Sequence, residues 1–228
     1  EYGITNVEQP VHLSRAFRER GWLSIKDELG RETLDLGGSK AFAIADHQVA
    51  HVYVNDQSIL NNVRGALETT PGVGQVLGKM EKHLVGLNHE RSGDLIAIAD
   101  AKSWFTYYYW QDDAKAPDFA RCVDIHRKCG YDPAELFVDP TIKYPKLRIA
   151  WKLLKKSLGF RMLMDVIPID ATLVKGSHGR IPEDTGDWPV LIGDFDAFPK
   201  SGTIAAHEVC SHLYRISSRG HGYGSVGL

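Results

Sequence analysis

Three short stretches of this chain carry side chains able to do chemistry. In Lys175-Gly176-Ser177-His178-Gly179-Arg180 a histidine stands between glycines. With so little side-chain bulk around it, a metal, a phosphate or another ligand can approach the imidazole closely. The same residues also suit a polar surface turn. In Ala41–Val54, Asp46 and His47 interrupt alternating small and branched apolar residues. That pattern predicts two strands joined near the pair, at a strand end where sites are usually built. His47 and His51 are four apart, which on a helix would bring both to one ion. In an extended strand the same spacing covers roughly 13 Å. Asp46 and His47 are therefore the candidates, and His51 reads as a packed strand histidine. The third stretch, Asp124-Ile125-His126-Arg127-Lys128-Cys129-Gly130-Tyr131-Asp132, gathers a histidine, two cations, a glycine and aspartates where hydrophobic periodicity is poor, as in a functional loop. Arg127 and Lys128 are suited to hold phosphate oxygens by charge-assisted hydrogen bonds.

The elements that must position these stretches read as α/β. Pro10–Arg20 has helical spacing, with Val11, Leu13 and Phe17 on one face and Gly21 ending it. Trp22–Ile25 reads as a short strand, and residues 26–40 as a loop or hairpin. Val49–Val54, Gln57–Leu67 and Val73–Leu77 predict strand, helix, strand, with Asp94–Ala99 and Trp104–Trp110 as further strands. Together they suggest a small α+β, ferredoxin-like insert. The aromatic run Trp104–Trp110 suits either nucleobase stacking or, more simply, the packed face of a strand. Residues 143–158 predict a basic amphipathic helix whose cations read as a solvated face. Trp188–Gly193 reads as a buried strand, followed by a helix over Thr203–Ile216.

Composition narrows the classes. A net charge of −2 provides no global field for nucleic acid, so no nucleic-acid partner is expected. No apolar run approaches the ~20 residues that span a bilayer, so no membrane partner is expected either. Three cysteines without a CxxC pair argue against a disulfide framework and for a cytoplasmic setting.

The order of Gly176-Ser177-His178-Gly179, the apolar run after it and the closing helix resembles the end of the catalytic domain in the alkaline phosphatase superfamily, in its type I phosphodiesterase and nucleotide pyrophosphatase branch. There a Gly-x-His-Gly histidine binds zinc, which would make His178 a ligand. Glu1-Tyr2-Gly3 falls where the superfamily has Ser-Asp-His-Gly. Glu1 would still offer a carboxylate, whereas the Tyr2 phenol is a poor neutral ligand, and His47 is the residue that would replace the missing imidazole. Gly130-Tyr131-Asp132 resembles the family's His-Gly-Tyr-Asp, so His126 competes with His178 for one ligand role.

The resemblance implies two zinc ions, with another divalent metal as the alternative. The metal-site candidates are Glu1, Asp46, His47, His126 and His178, and the substrate contacts are Arg127, Lys128 and Tyr131. It also implies a partial phosphatase-like core sheet flanked by helices, formed by 1–48 and 141–228, and a cap formed by 49–140. The nucleophile is expected upstream, so the chain reads as the C-terminal part of a metal-dependent phosphoric ester hydrolase. Its expected partners are a small phosphate ester or nucleotide and the N-terminal part of its own domain. Glu1-Tyr2 motivates the alternative of a degenerate binding module.

Overall fold

The computed structural model describes residues 2–192 and 202–219. Short strands β1 (Thr5–Asn6) and β2 (Gln9–Val11) lead into helix α1 (Leu13–Glu19), which buries Leu13, Ser14 and Phe17. Gly21, at φ +69°, ends it as expected. Residues 26–40 do form a hairpin, β3 (Ser24–Glu28) with β4 (Arg31–Asp35). Its turn residues Leu29 and Gly30 both have positive φ, the geometry that suits right-twisted strands.

Strands β5 (Ala41–Asp46) and β6 (Val49–Val54) pair antiparallel from Ala41↔Val54 to Asp46↔Val49. Alternation places Ala41, Ala43, Ala45, Ala50, Val52 and Val54 in the core. Helix α2 (Leu60–Glu68) buries Val63 and Leu67 and leads to β7 (Val73–Leu77), the short helix α3 (Lys79–Leu84) and β8 (Leu95–Ala99). The resulting sheet has the order β5-β6-β8-β7, with every neighbour antiparallel. β6 and β7 are thus parallel to each other with β8 between them, a split β-α-β unit extended by the β5 hairpin strand. A split β-α-β unit is also the building block of the expected ferredoxin-like insert. A boundary at residue 48/49 would cut the β5–β6 hairpin at its turn, so residues on both sides of it belong to one sheet.

Strand β9 (Ser103–Phe105) pairs parallel with β2 and stops early. Tyr107, Tyr108, Tyr109 and Trp110 continue it as irregular chain and are all buried, edge-on or tilted against one another at centroid distances of 4.7–5.5 Å. Their faces are spent on core packing and none is open to a base. Beyond a loop region lie helix α4 (Pro145–Ser157) and the two-residue strand β10 (Gly176–Ser177), which pairs antiparallel with β1.

The chain forms two units, Glu1–Trp188 and Pro189–Leu228. In the second, Val190, Leu191 and Ile192 are exposed and in no strand, so the expected buried strand is absent from its described part; Gly193 lies outside the described residues. Helix α5 (Val209–Arg219) begins six residues later than the spacing predicts.

Candidate functional site

The two-residue turn between β5 and β6 is His47-Gln48. His47 has φ +57°, a conformation that costs a non-glycine residue about 1 kcal/mol or more and needs support. Gln48 supplies much of it. Only 1% exposed, its side chain donates to the carbonyls of Ser103 (3.1 Å) and Ala101 (3.4 Å) and accepts from the Thr5 hydroxyl (3.4 Å). Its backbone N–H donates to the carbonyl of His178 at 2.9 Å, and its carbonyl accepts from Ala99. The His47 carbonyl accepts from Phe105 N–H at 2.7 Å. The turn is thereby tied to β8, β9 and the β1–β10 pair at once. Gln48 escaped the sequence reading, although an amide inside a run of apolar residues at a strand junction is a usable signal.

Pairing of β10 with β1, Thr5↔Ser177 and Asn6↔Gly176, delivers His178 to this turn. The His47 and His178 rings lie 3.9 Å apart, tilted by 38°. Tyr2 stacks on His178 at 3.7 Å and 13°, and Tyr131 covers His47 at 4.6 Å. Tyr131 arrives because its N–H donates to the Ala45 carbonyl at 2.8 Å and Gly130 bridges Ala45. Four side chains from residues 2, 47, 131 and 178 therefore form one row of rings beside a strand end.

The His47 side chain is 14% exposed, and its Nδ1 has no hydrogen-bond partner. Burial, reinforced by the neighbouring His178 and opposed by Asp46, lowers its pKa from 6.5 to about 4. The ring is neutral at physiological pH, and its Nδ1 makes no hydrogen bond. Asp46 is exposed, with Oδ1 4.0 Å from His47 Nε2. Among the described residues no three His, Cys, Asp or Glu side chains gather as a metal-binding group, and Glu1 lies outside them.

The rest of the expected set falls elsewhere. His51 is structural, as expected: its Nδ1 accepts from Gly93 N–H at 3.2 Å. His126 is exposed on its loop, and among the described contacts nothing joins it to His47 or His178. Arg127 pairs with Asp118 at 2.9 Å and lies over the Phe119 ring at 4.5 Å. Lys128 departs most from expectation. Its side chain is 1% exposed and its Nζ lies 2.7 Å from both Asp132 Oδ2 and Glu135 Oε1, so two carboxylates, not a phosphate, satisfy the ammonium. The triad fixes the loop that carries Gly130 and Tyr131. Of the three expected substrate contacts only Tyr131 stands in the row.

A mixed α/β chain with paired imidazoles at a strand end is the class that the geometry defines. Residues 1–132 match the family model of type I phosphodiesterase / nucleotide pyrophosphatase, and the chain belongs to that family. A search of curated proteins gave no significant match. Among solved structures it is similar to phosphonoacetate hydrolase from Sinorhizobium meliloti 1021 in complex with phosphonoacetate, at 16% identity and a TM-score of 0.35, over 46% of this chain and 26% of that one. The same enzyme in complex with phosphonoformate aligns at 15% identity and a TM-score of 0.36, over 51% and 29%. The chain thus spans less than a third of the length of these relatives.

Proposed function

We propose that the chain is the C-terminal portion of a metal-dependent phosphoric ester hydrolase of the phosphodiesterase or nucleotide pyrophosphatase kind, contributing late metal ligands. The observation that supports this best is the juxtaposition of His47 and His178 at 3.9 Å on a braced turn. Zinc takes neutral imidazole nitrogens and carboxylate oxygens. A neutral His47 with an unsatisfied buried Nδ1 fits that donor set. Two histidines are half of a tetrahedral shell, and Asp46 and Glu1 are the carboxylates proposed to extend it.

A bound metal would supply Lewis acidity toward phosphoryl oxygens. The chain's own residues hold and orient. Gln48 locks the turn, Tyr2 and Tyr131 flank the imidazoles and limit water access to their faces, and the Lys128 triad holds Tyr131 in place. The nucleophile is assigned to sequence before Glu1, and the substrate to a small phosphate ester or nucleotide.

Zinc content and hydrolysis of bis-p-nitrophenyl phosphate by the intact protein test the reading. His47→Ala and His178→Ala are each expected to lower metal affinity by about 100-fold or more, since even outer-shell changes cost 10–100-fold. Zinc binding and turnover unchanged in both variants would refute it. A second reading, a degenerate binding module, is favoured by Tyr2 lying on His178 where the family has a histidine. It expects phosphate-ester binding without turnover.

A further inference from the structure

Helix α4 is thirteen residues long and buries no side chain. Tyr144, just before it, Leu147, Trp151, Leu154 and Leu158 are spaced by 3, 4, 3 and 4 residues and so share one face. All five are exposed, Trp151 by 55% and Leu147 by 69%. A soluble helix normally turns such a stripe inward. Here the inward contacts are made by cations: Arg148 and Lys152 reach Asp165 at 2.6 and 2.7 Å.

Charge says what the open face meets. Between Asp139 and Asp165 the chain carries Lys143, Lys146, Arg148, Lys152, Lys155, Lys156 and Arg161 and no acidic residue, in a chain whose net charge is −2. Lys143 and Lys155 lie over the rings of Tyr144 and Trp151 at 5.5 Å each. Their charges thus flank the apolar stripe. An apolar stripe holding Trp and Tyr, bordered by lysines, is the arrangement of a helix lying in the interface plane of an anionic bilayer. A second copy of this face would meet its own like charges. No helix among the described residues is long and apolar enough to cross a membrane, so the contact is peripheral.

We propose that α4 is a peripheral membrane-docking element that seats Tyr144, Leu147, Trp151, Leu154 and Leu158 at an anionic lipid surface. The absence of a membrane-spanning run, from which no membrane partner was expected, does not bear on a helix that lies flat. The proposal does not depend on the hydrolase reading, because its readout is binding.

Flotation of the purified protein with phosphatidylcholine vesicles, with and without phosphatidylglycerol, tests it. Binding is expected to require phosphatidylglycerol and to weaken with salt. Lys146→Glu and Lys156→Glu should each weaken it by roughly fivefold or more, since loss of one surface charge alone accounts for about that and the new carboxylate adds repulsion. Trp151→Glu should abolish it without lowering the melting temperature. The idea is overturned by no flotation, by equal binding to both vesicles, or by binding that survives Trp151→Glu. It is equally overturned if Trp151→Glu destabilises the fold, or if it converts a lipid-free oligomer to monomer, since the face would then be covered by protein.

Discussion

Replacing Lys128 with methionine should destabilise the protein severely although no surface changes. In the native fold the ammonium lies 2.7 Å from two carboxylates, with Lys128 and Asp132 side chains 1% exposed and Glu135 9%. Removing one partner of a buried ionic cluster leaves uncompensated charge and costs about 3–5 kcal/mol. For a domain of this size that is a fall in melting temperature of roughly 6–20 °C. Burial already raises the Asp132 pKa, against the pull of Lys128 and the Ala134 N–H. Without the lysine that rise grows.

A carboxyl whose folded pKa exceeds its unfolded value binds the proton more tightly when folded, so stability falls as pH rises through the interval between the two. The Lys128→Met deficit should therefore be largest at neutral pH and shrink toward pH 4. Lys128→Met/Glu135→Met, which removes one of the two stranded carboxylates, should recover part of the loss. Thermal melts at several pH values decide it. A Lys128→Met melting temperature within about 3 °C of wild type at neutral pH, roughly 1 kcal/mol, would refute the buried triad.

Gly130→Ala should cost roughly 2–5 kcal/mol by denaturant titration: a Cβ would meet the Ala45 carbonyl at 2.6 Å, and φ of +126° is unfavourable for alanine. The same change pushes on the residue before Asp46-His47, so it should also reduce metal binding. Glu32→Ala leaves Arg18, a bidentate partner in a largely buried pair, without its carboxylate, and should lose about 3–5 kcal/mol in the same titration.

His12 is held neutral, its pKa lowered from 6.5 to about 4 by burial and then by Arg15, with Asp113 opposing. Its Nδ1 meets the Thr106 hydroxyl at 2.7 Å and its ring stacks on Tyr108. The unfolded chain takes up that proton first, so stability present above pH 6.5 is lost as pH falls toward 4, by up to about 3 kcal/mol. In His12→Gln, melts at pH 7 and pH 5 should lie closer together than in wild type; an unchanged gap would count against the assignment.

Local signals were readable along the chain wherever a single element produced them. Alternation around Asp46-His47 announced a hairpin, helical spacing announced α1, and Gly21 marked its end. Lys128 departs from its expected role because its environment is made by carboxylates four and seven residues on, at the start of a single 3-10 turn (Pro133–Leu136) that carries no hydrophobic periodicity, and residue type alone makes an exposed cation the default. The apolar run that starts at Trp188, expected as a buried strand, departs in its described part for a related reason. Hydrophobicity says that a surface gains by being covered, not what covers it.

What the sequence by itself determined is therefore the inventory: an α/β alternation, a family resemblance, and glycine-flanked or strand-end histidines as the groups with chemistry. Tertiary structure alone decided that residues 47 and 178 meet. That meeting rests on a two-residue strand pairing across most of the chain and on the Gln48-to-His178 backbone hydrogen bond. Contacts at such separations leave no periodic trace in a sequence, because they arise from the closure of the whole core and not from the propensity of any segment.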